Sequence, residues 1–326
     1  MLRFHAQLGL IILLLASSGG SAWQTPKSPS PEELAFDSVK TATNPATRMA
    51  AAEDFVAKFP NSAKRSTVAS LVSEQLTVLR NPEIAISLLD RARMIFTSAS
   101  ELEYLKPAAL EVYVNGNRTD EAFALAEDLL SRKPYQLPVL IKMTHLGAQQ
   151  ARNRNLTYAS PALVYGFKAI DIIEKDQRPA QITDEDWAEQ KSQLPFLYQQ
   201  VALIKLAQTN YSEAKTEIHK AIQLAPNDPA NFALLGRVLS SDYQKLSDTY
   251  DAMTDGESRQ ETKKRIDAQL DEIIESYARA AGLATGKTQY TLLLQQVVPD
   301  LTRYYQYRHN QSTVGLRQLI DKYRFE

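Results

Sequence analysis

The sequence predicts an all-α protein, an α-solenoid of stacked antiparallel helix pairs. Three observations carry that expectation. Apolar residues recur on a 3.6-residue period, as at Ala214, Ile218, Ala221, Ile222 and Leu224 in NYSEAKTEIHKAIQLAP. The stretch that opens at Pro195 repeats itself 34 residues later, which carries Pro195 onto Pro229, Tyr198 onto Phe232, Val201 onto Leu235 and Ala202 onto Gly236. Runs of alternating β-branched residues are nearly absent, so a sheet has little to grow from.

Residues 1–22, MLRFHAQLGLIILLLASSGGSA, have a basic start at Arg3, an apolar run from Leu8 to Ala16 and small residues at Gly20 and Ala22. That pattern is a secretory signal peptide, with cleavage expected after Ala22. The apolar run is well short of the ~20 residues that span a bilayer, so no stable membrane span is expected after cleavage. The chain has no cysteine, which excludes disulfides and a lipid-modified N-terminal Cys. A periplasmic or secreted protein is expected. Residues 23–31, WQTPKSPSP, form a flexible linker, and residues 32–326 form the helical repeat domain. The Asn-x-Ser/Thr triplets at Asn117, Asn155, Asn210 and Asn310 are read as chance.

Along that domain, helices are expected over 32–41 and 47–59, the latter closing on Phe59-Pro60-Asn61-Ser62. Asn81-Pro82 caps a helix with Ala85, Leu89, Ala92 and Ile95 on one face. A clearer pair over 103–136 carries Tyr113, then Ala122, Ala126 and Leu129, with Pro134 at its end. The helix LPVLIKMTHLGAQQA is followed by an insertion near 150–160, and ALVYGFKAIDII by a second insertion near 174–194, where Thr183 and Asp186 cap a helix bearing Trp187. After Pro195 the repeat resumes. A capping box between Asn210 and Glu213 opens its second helix, Pro226 ends it, and Asp228-Pro229 opens the next. A third insertion, 240–273, lengthens one hairpin, zipped by Tyr243, Leu246, Ile266 and Leu270 and turned at Asp255-Gly256, before closing helices end the chain.

The 34-residue period, small residues at the close contacts and proline at the ends resemble the tetratricopeptide repeat. The Phe59-Pro60-Asn61-Ser62 ending is similar to that of bacterial envelope-associated members. Ala202 stands where the family usually has glycine, and Lys205 where it has an aromatic. The resemblance implies a protein or peptide partner bound along the first helix of each pair. The residues it points to are Ile141, His145 and Gln149, then Phe196, Gln199 and Leu203 with Leu206, then Ala233 and Arg237. Members that clamp a carboxylate use Lys, Asn and Arg on these helices. Here the matching positions are mostly apolar, which favours an apolar peptide or helix as the occupant. Phe196 and Leu206 also suit burial against neighbouring turns.

Signals for chemistry are lacking. His5, His145, His219 and His309 are scattered, with no Cys or second His at ligand spacing. Asp251, Asp255, Gly256 and Glu261 miss the calcium-loop pattern, because Met253 takes a ligand position. Asp184, Glu185 and Asp186 are the acids that a first helical turn prefers. No nucleophile elbow or phosphate loop is present. A net charge of -1 and a pI near 6.5 give no basic face for nucleic acid. A noncatalytic exported scaffold without cofactor or metal is therefore expected. The alternative is a periplasmic binding protein for a small molecule or glycan, set apart only by the aromatic content of the groove; the tyrosines of RYYQYRHN suit stacking on sugars or peptides but more often close a core. Assembly into a homo-oligomer is left open.

Overall fold

Local sequence chemistry sets each helix start, and the regular structure is helical throughout the described residues. The computed structural model describes residues 28–180, 182–254 and 256–324. The expected signal peptide and most of the linker fall on residues 1–27 and lie outside the described residues, as does Asp255 of the expected turn. The chain divides into two compact units, 1–80 with 87–105, and 81–86 with 106–326.

In the first unit α1 (Pro31–Thr41) opens on a capping box. The Glu33 amide donates to Ser30 Oγ at 3.2 Å, and the Ser30 amide donates to the Glu33 carboxylate at 2.6 Å. α2 (Pro45–Lys58) begins two residues before the expected start at 47, because Asn44 Oδ1 accepts the Ala46 amide at 2.8 Å and Pro45 takes the first helical position. α3 (Arg65–Thr77) had no bounded expectation, since serines and threonines interrupt its apolar face. It nevertheless buries Val68, Ala69, Val72 and Leu76 and packs on α2. α4 (Pro82–Ile95) is capped by Asn81, as expected, and buries Ala85, Leu89 and Ala92. α4 and the following α5 (Ala99–Asn115) belong partly to each unit.

The second unit continues through α6 (Thr119–Arg132), α7 (Leu137–Arg152), α8 (Ala159–Glu174), α9 (Asp184–Ser192), α10 (Leu194–Ala207) and α11 (Tyr211–Leu224). It ends with α12 (Pro229–Asp251), α13 (Glu257–Ala284), a single 3-10 turn, α14 (Thr291–Arg308) and α15 (Leu316–Asp321). Neighbours along the chain pack on one another as stacked antiparallel pairs. α7 packs on α8, α10 on both α7 and α8, α10 on α11, α11 on α12, and α12 on α13. The 34-residue correspondence lands on equivalent buried sites. Tyr198 and Phe232 are both interior, as are Val201 and Leu235, while Ala214, Ile218 and Ala221 are fully buried. The buried Asn231 ties successive helices together. Its Nδ2 donates to the Ala221 and Ala225 carbonyls at the end of α11, and its Oδ1 accepts from Gln199 Nε2 on α10 at 2.9 Å.

One expected cap is corrected. Asn210 makes no side-chain bond to α11; its backbone, at φ -86° and ψ 68°, closes α10 instead. The Asn210 amide donates to the Lys205 carbonyl at 2.9 Å, with Thr209 left-handed at φ 62°. Glu213, freed from the capping box, pairs with Lys205 Nζ at 2.5 Å. The α5–α6 turn has the same form. Asn117 is at φ 55°, Arg118 repeats φ -86° and ψ 68°, and the Arg118 amide donates to the Tyr113 carbonyl at 2.8 Å.

Two of the three insertions are smaller or more ordered than their sequence implies. Between α7 and α8 only residues 153–158 are non-helical, since α7 runs on to Arg152. The second contains α9, capped by Thr183 as expected and anchored by the buried Trp187, whose Nε1 donates to Asp176 Oδ1 at 2.9 Å. The third is the long hairpin of α12 and α13, zipped by buried Tyr243, Ile266 and Leu270 with Leu246 half-buried.

Candidate functional site

A hollow of about 600 Å³ opens between α7, α9 and the start of α10. α7 presents Pro138, Ile141, Lys142 and His145 to it, positions spaced to share one helical face. Phe196 enters from the first turn of α10, with its ring centre 5.4 Å from that of His145. Ile182 closes the apolar floor, and α9 supplies Asp186, Glu189 and Gln190 as a polar wall. That wall is held firmly for so short a helix. Arg178 Nε donates to the Ile182 carbonyl at 2.9 Å, the Arg178 guanidinium pairs with Asp184, and Lys191 pairs with Asp176 at 3.2 Å.

The hollow continues into a second one of about 460 Å³, which shares Pro138 and Ile182 and adds Tyr135, Val139 and Pro179. Together they form a groove with an apolar floor and an uneven charge along its rim. The Lys142 ammonium is neutralised by Glu111. Asp186 accepts a 2.7 Å hydrogen bond from Thr183 Oγ1, whereas the carboxylates of Glu185 and Glu189 have no hydrogen-bond or ion-pair partner among the described residues. Gln190 Oε1 is buried in the wall without a hydrogen bond. Asp186 and Glu189 thus leave the α9 wall negative, while the ammonium of Lys133, which has no ion pair among the described residues, lines the second hollow. Burial pushes the His145 imidazole below its ordinary pKa of 6.5, and the positive charges of Arg152 and Lys142 add to that against a hydrogen bond with Gln200.

The sequence-derived site residues separate into two places. Ile141, His145 and Phe196 meet in the 600 Å³ hollow. Gln199, Leu203 and Arg237, with Ala233, line a different hollow of about 260 Å³. Gln149 is exposed on α7 and lines neither, and Leu206 is half-buried. Phe196 is only partly buried, so it is not consumed by packing between turns. The contribution of α9 was not foreseen. Its cap at Thr183 was legible, but nothing local says that a helix inserted between α8 and α10 in sequence lines the same hollow as α7.

Of the C-terminal tyrosines, Tyr305 is buried, and its hydroxyl donates to the Val314 carbonyl at 2.7 Å. Tyr304 and Tyr307 line a hollow with Tyr243. Among the described residues no group of three or more His, Asp or Glu side chains is placed to hold a metal ion, and no helix is long and apolar enough to cross a membrane. Compared with protein-family models and with curated proteins, the chain matches none.

Proposed function

We propose that this protein is an exported, noncatalytic scaffold of tetratricopeptide-like type. In this reading it docks an apolar segment of a partner protein in the groove between α7, α9 and α10. The observation that carries the reading is the pairing of an apolar floor with unneutralised carboxylates on one wall. Burying an apolar side chain against Ile141, Ile182 and Phe196 supplies affinity, at roughly 25 cal/mol per Å² removed from water. A Lys or Arg beside that anchor answers Glu189 and Asp186 and fixes direction. Export is supported by the signal-peptide pattern of residues 1–22.

Selection of random displayed peptides on the purified protein tests the reading. Enriched peptides are expected to share a large apolar residue with Lys or Arg close by, and to lose binding to Phe196→Ala and Ile141→Glu variants that keep the parent's helical circular dichroism. Enrichment without such a pattern, or peptides indifferent to both variants, would overturn it.

A further inference from the structure

The 260 Å³ hollow is built differently from the groove. Arg152 at the end of α7 and Arg237 on α12 both line it, together with the amide side chains of Gln199 and Gln296. Neither guanidinium has a hydrogen bond or an ion pair among the described residues, whereas Lys142, Lys205, Lys215 and Arg308 of the same unit are each paired with a carboxylate. The hollow is open to solvent and both arginines are exposed, so their guanidinium groups stay hydrated and accessible while two like charges line one space. The one acid on the lining is Asp300, whose carboxylate is already bound to Arg303 at 2.9 Å. With Asp300 held by Arg303, the charges of Arg152 and Arg237 are left uncompensated at the hollow. The lining also holds Leu203, Leu234, Leu293 and Val297, with Leu234 one turn from Arg237 on α12, together with Tyr277.

We propose that this hollow binds a small monocarboxylic acid, its carboxylate between Arg152 and Arg237 and its short apolar tail against Leu203, Leu234 and Val297. The planar guanidinium fork matches a carboxylate through paired N–H donors. Apolar residues beside the two guanidinium groups suit an anion with a hydrocarbon tail better than inorganic phosphate. Size limits the tail: at ~30 Å³ per water-sized group the hollow holds about nine heavy atoms, the scale of hexanoate or octanoate. Gln199 is held in place by its bond to Asn231, so its remaining amide hydrogen and the free amide of Gln296 can complete the anion's shell. This site shares no lining residue with the groove proposed for a protein partner, and it stands or falls apart from that reading.

Calorimetric titration of the purified protein with sodium acetate, butyrate, hexanoate and octanoate tests the proposal, with hexanamide as the uncharged isostere. Expected is saturable one-site binding that tightens from acetate to hexanoate, with hexanamide at least about tenfold weaker. Arg152→Gln and Arg237→Gln are each expected to weaken hexanoate about tenfold or more while melting like the parent, because both side chains are exposed and make no hydrogen bond or ion pair among the described residues. Ile141→Glu, in the separate groove, leaves hexanoate binding unchanged. The proposal is overturned if no acid binds saturably at millimolar concentration, if hexanamide binds as tightly as hexanoate, or if both arginine variants bind like the parent.

Discussion

Arg65 Nε donates to Glu101 Oε1 at 2.5 Å, joining the start of α3 to the first turn of α5 through a carboxylate that is 2% exposed. Glu101 Oε2 also accepts the Thr97 and Ser98 amides at 3.0 Å each, and Arg65 Nη2 donates to the Ile95 carbonyl at 2.9 Å. The pair therefore organises the turn between α4 and α5 as well as neutralising itself. Burial raises the Glu101 carboxyl, but the hydrogen bonds from Arg65 and Ser98 and the Arg65 charge outweigh it and hold the group below its ordinary 4.5.

Removing one member of this pair leaves the other buried without its partner. Glu101→Gln is expected to cost on the order of 3–5 kcal/mol. The sign with pH follows from the lowered folded value: the stabilisation is fully present above pH 4.5 and is lost as pH falls through the folded pKa. Chemical denaturation of parent and variant from pH 7 to pH 3 checks both points. The difference between them should narrow on acidification.

Thr209 is β-branched yet sits at φ 62°, where a branched Cβ is crowded by its own backbone. Its amide bonds the Leu206 carbonyl at 2.9 Å, so the turn from α10 to α11 requires that conformation. Thr209→Gly is expected to stabilise the protein by about 0.5–1 kcal/mol, the relief of left-handed strain less the entropy that glycine loses on folding. A rise in denaturant midpoint with unchanged slope is the readout.

Gly236 has no room for a side chain. A Cβ there would lie 2.5 Å from Tyr277 Cε1 and 2.6 Å from Cδ1, and that ring is 2% exposed with its hydroxyl 3.3 Å from Ser240 Oγ. Gly236→Ala is expected to cost about 1–3 kcal/mol by overpacking, even though alanine raises helix propensity. At the equivalent position one repeat earlier, Ala202 is already accommodated. A Gly236→Ala variant as stable as the parent in urea would show that α12 and α13 are spaced more widely than described.

The helical class and the repeat were legible because they depend on short-range spacing. Ala214, Ile218 and Ala221 share a face whatever they pack against, and Asp228 caps α12 through the Ala230 amide two residues away. The Asn210 cap failed because asparagine carries its backbone groups into a turn as readily as its side chain onto a helix start. That choice is made by the end of α10, which the local sequence of α11 does not contain. The site was half legible for the same reason. Ile141, His145 and Phe196 follow from which helix faces repeat, whereas Glu189 and Gln190 reach the groove only because Trp187 and Asp176 fix α9 across it. Arg152 and Arg237 lie far apart in sequence, and only the stacking of α7, α10 and α12 brings them to one hollow.

The central claim is that the α7–α9–α10 groove reads an apolar anchor and a neighbouring cation together. Its most direct test is a double-mutant cycle on the tightest selected peptide, pairing Glu189→Gln with replacement of the peptide's basic residue by glutamine, and measuring all four dissociation constants by fluorescence anisotropy. A coupling of about 1 kcal/mol or more is expected, shrinking as salt rises. Zero coupling at low salt, with Phe196→Ala binding the peptide as tightly as the parent, would contradict the account.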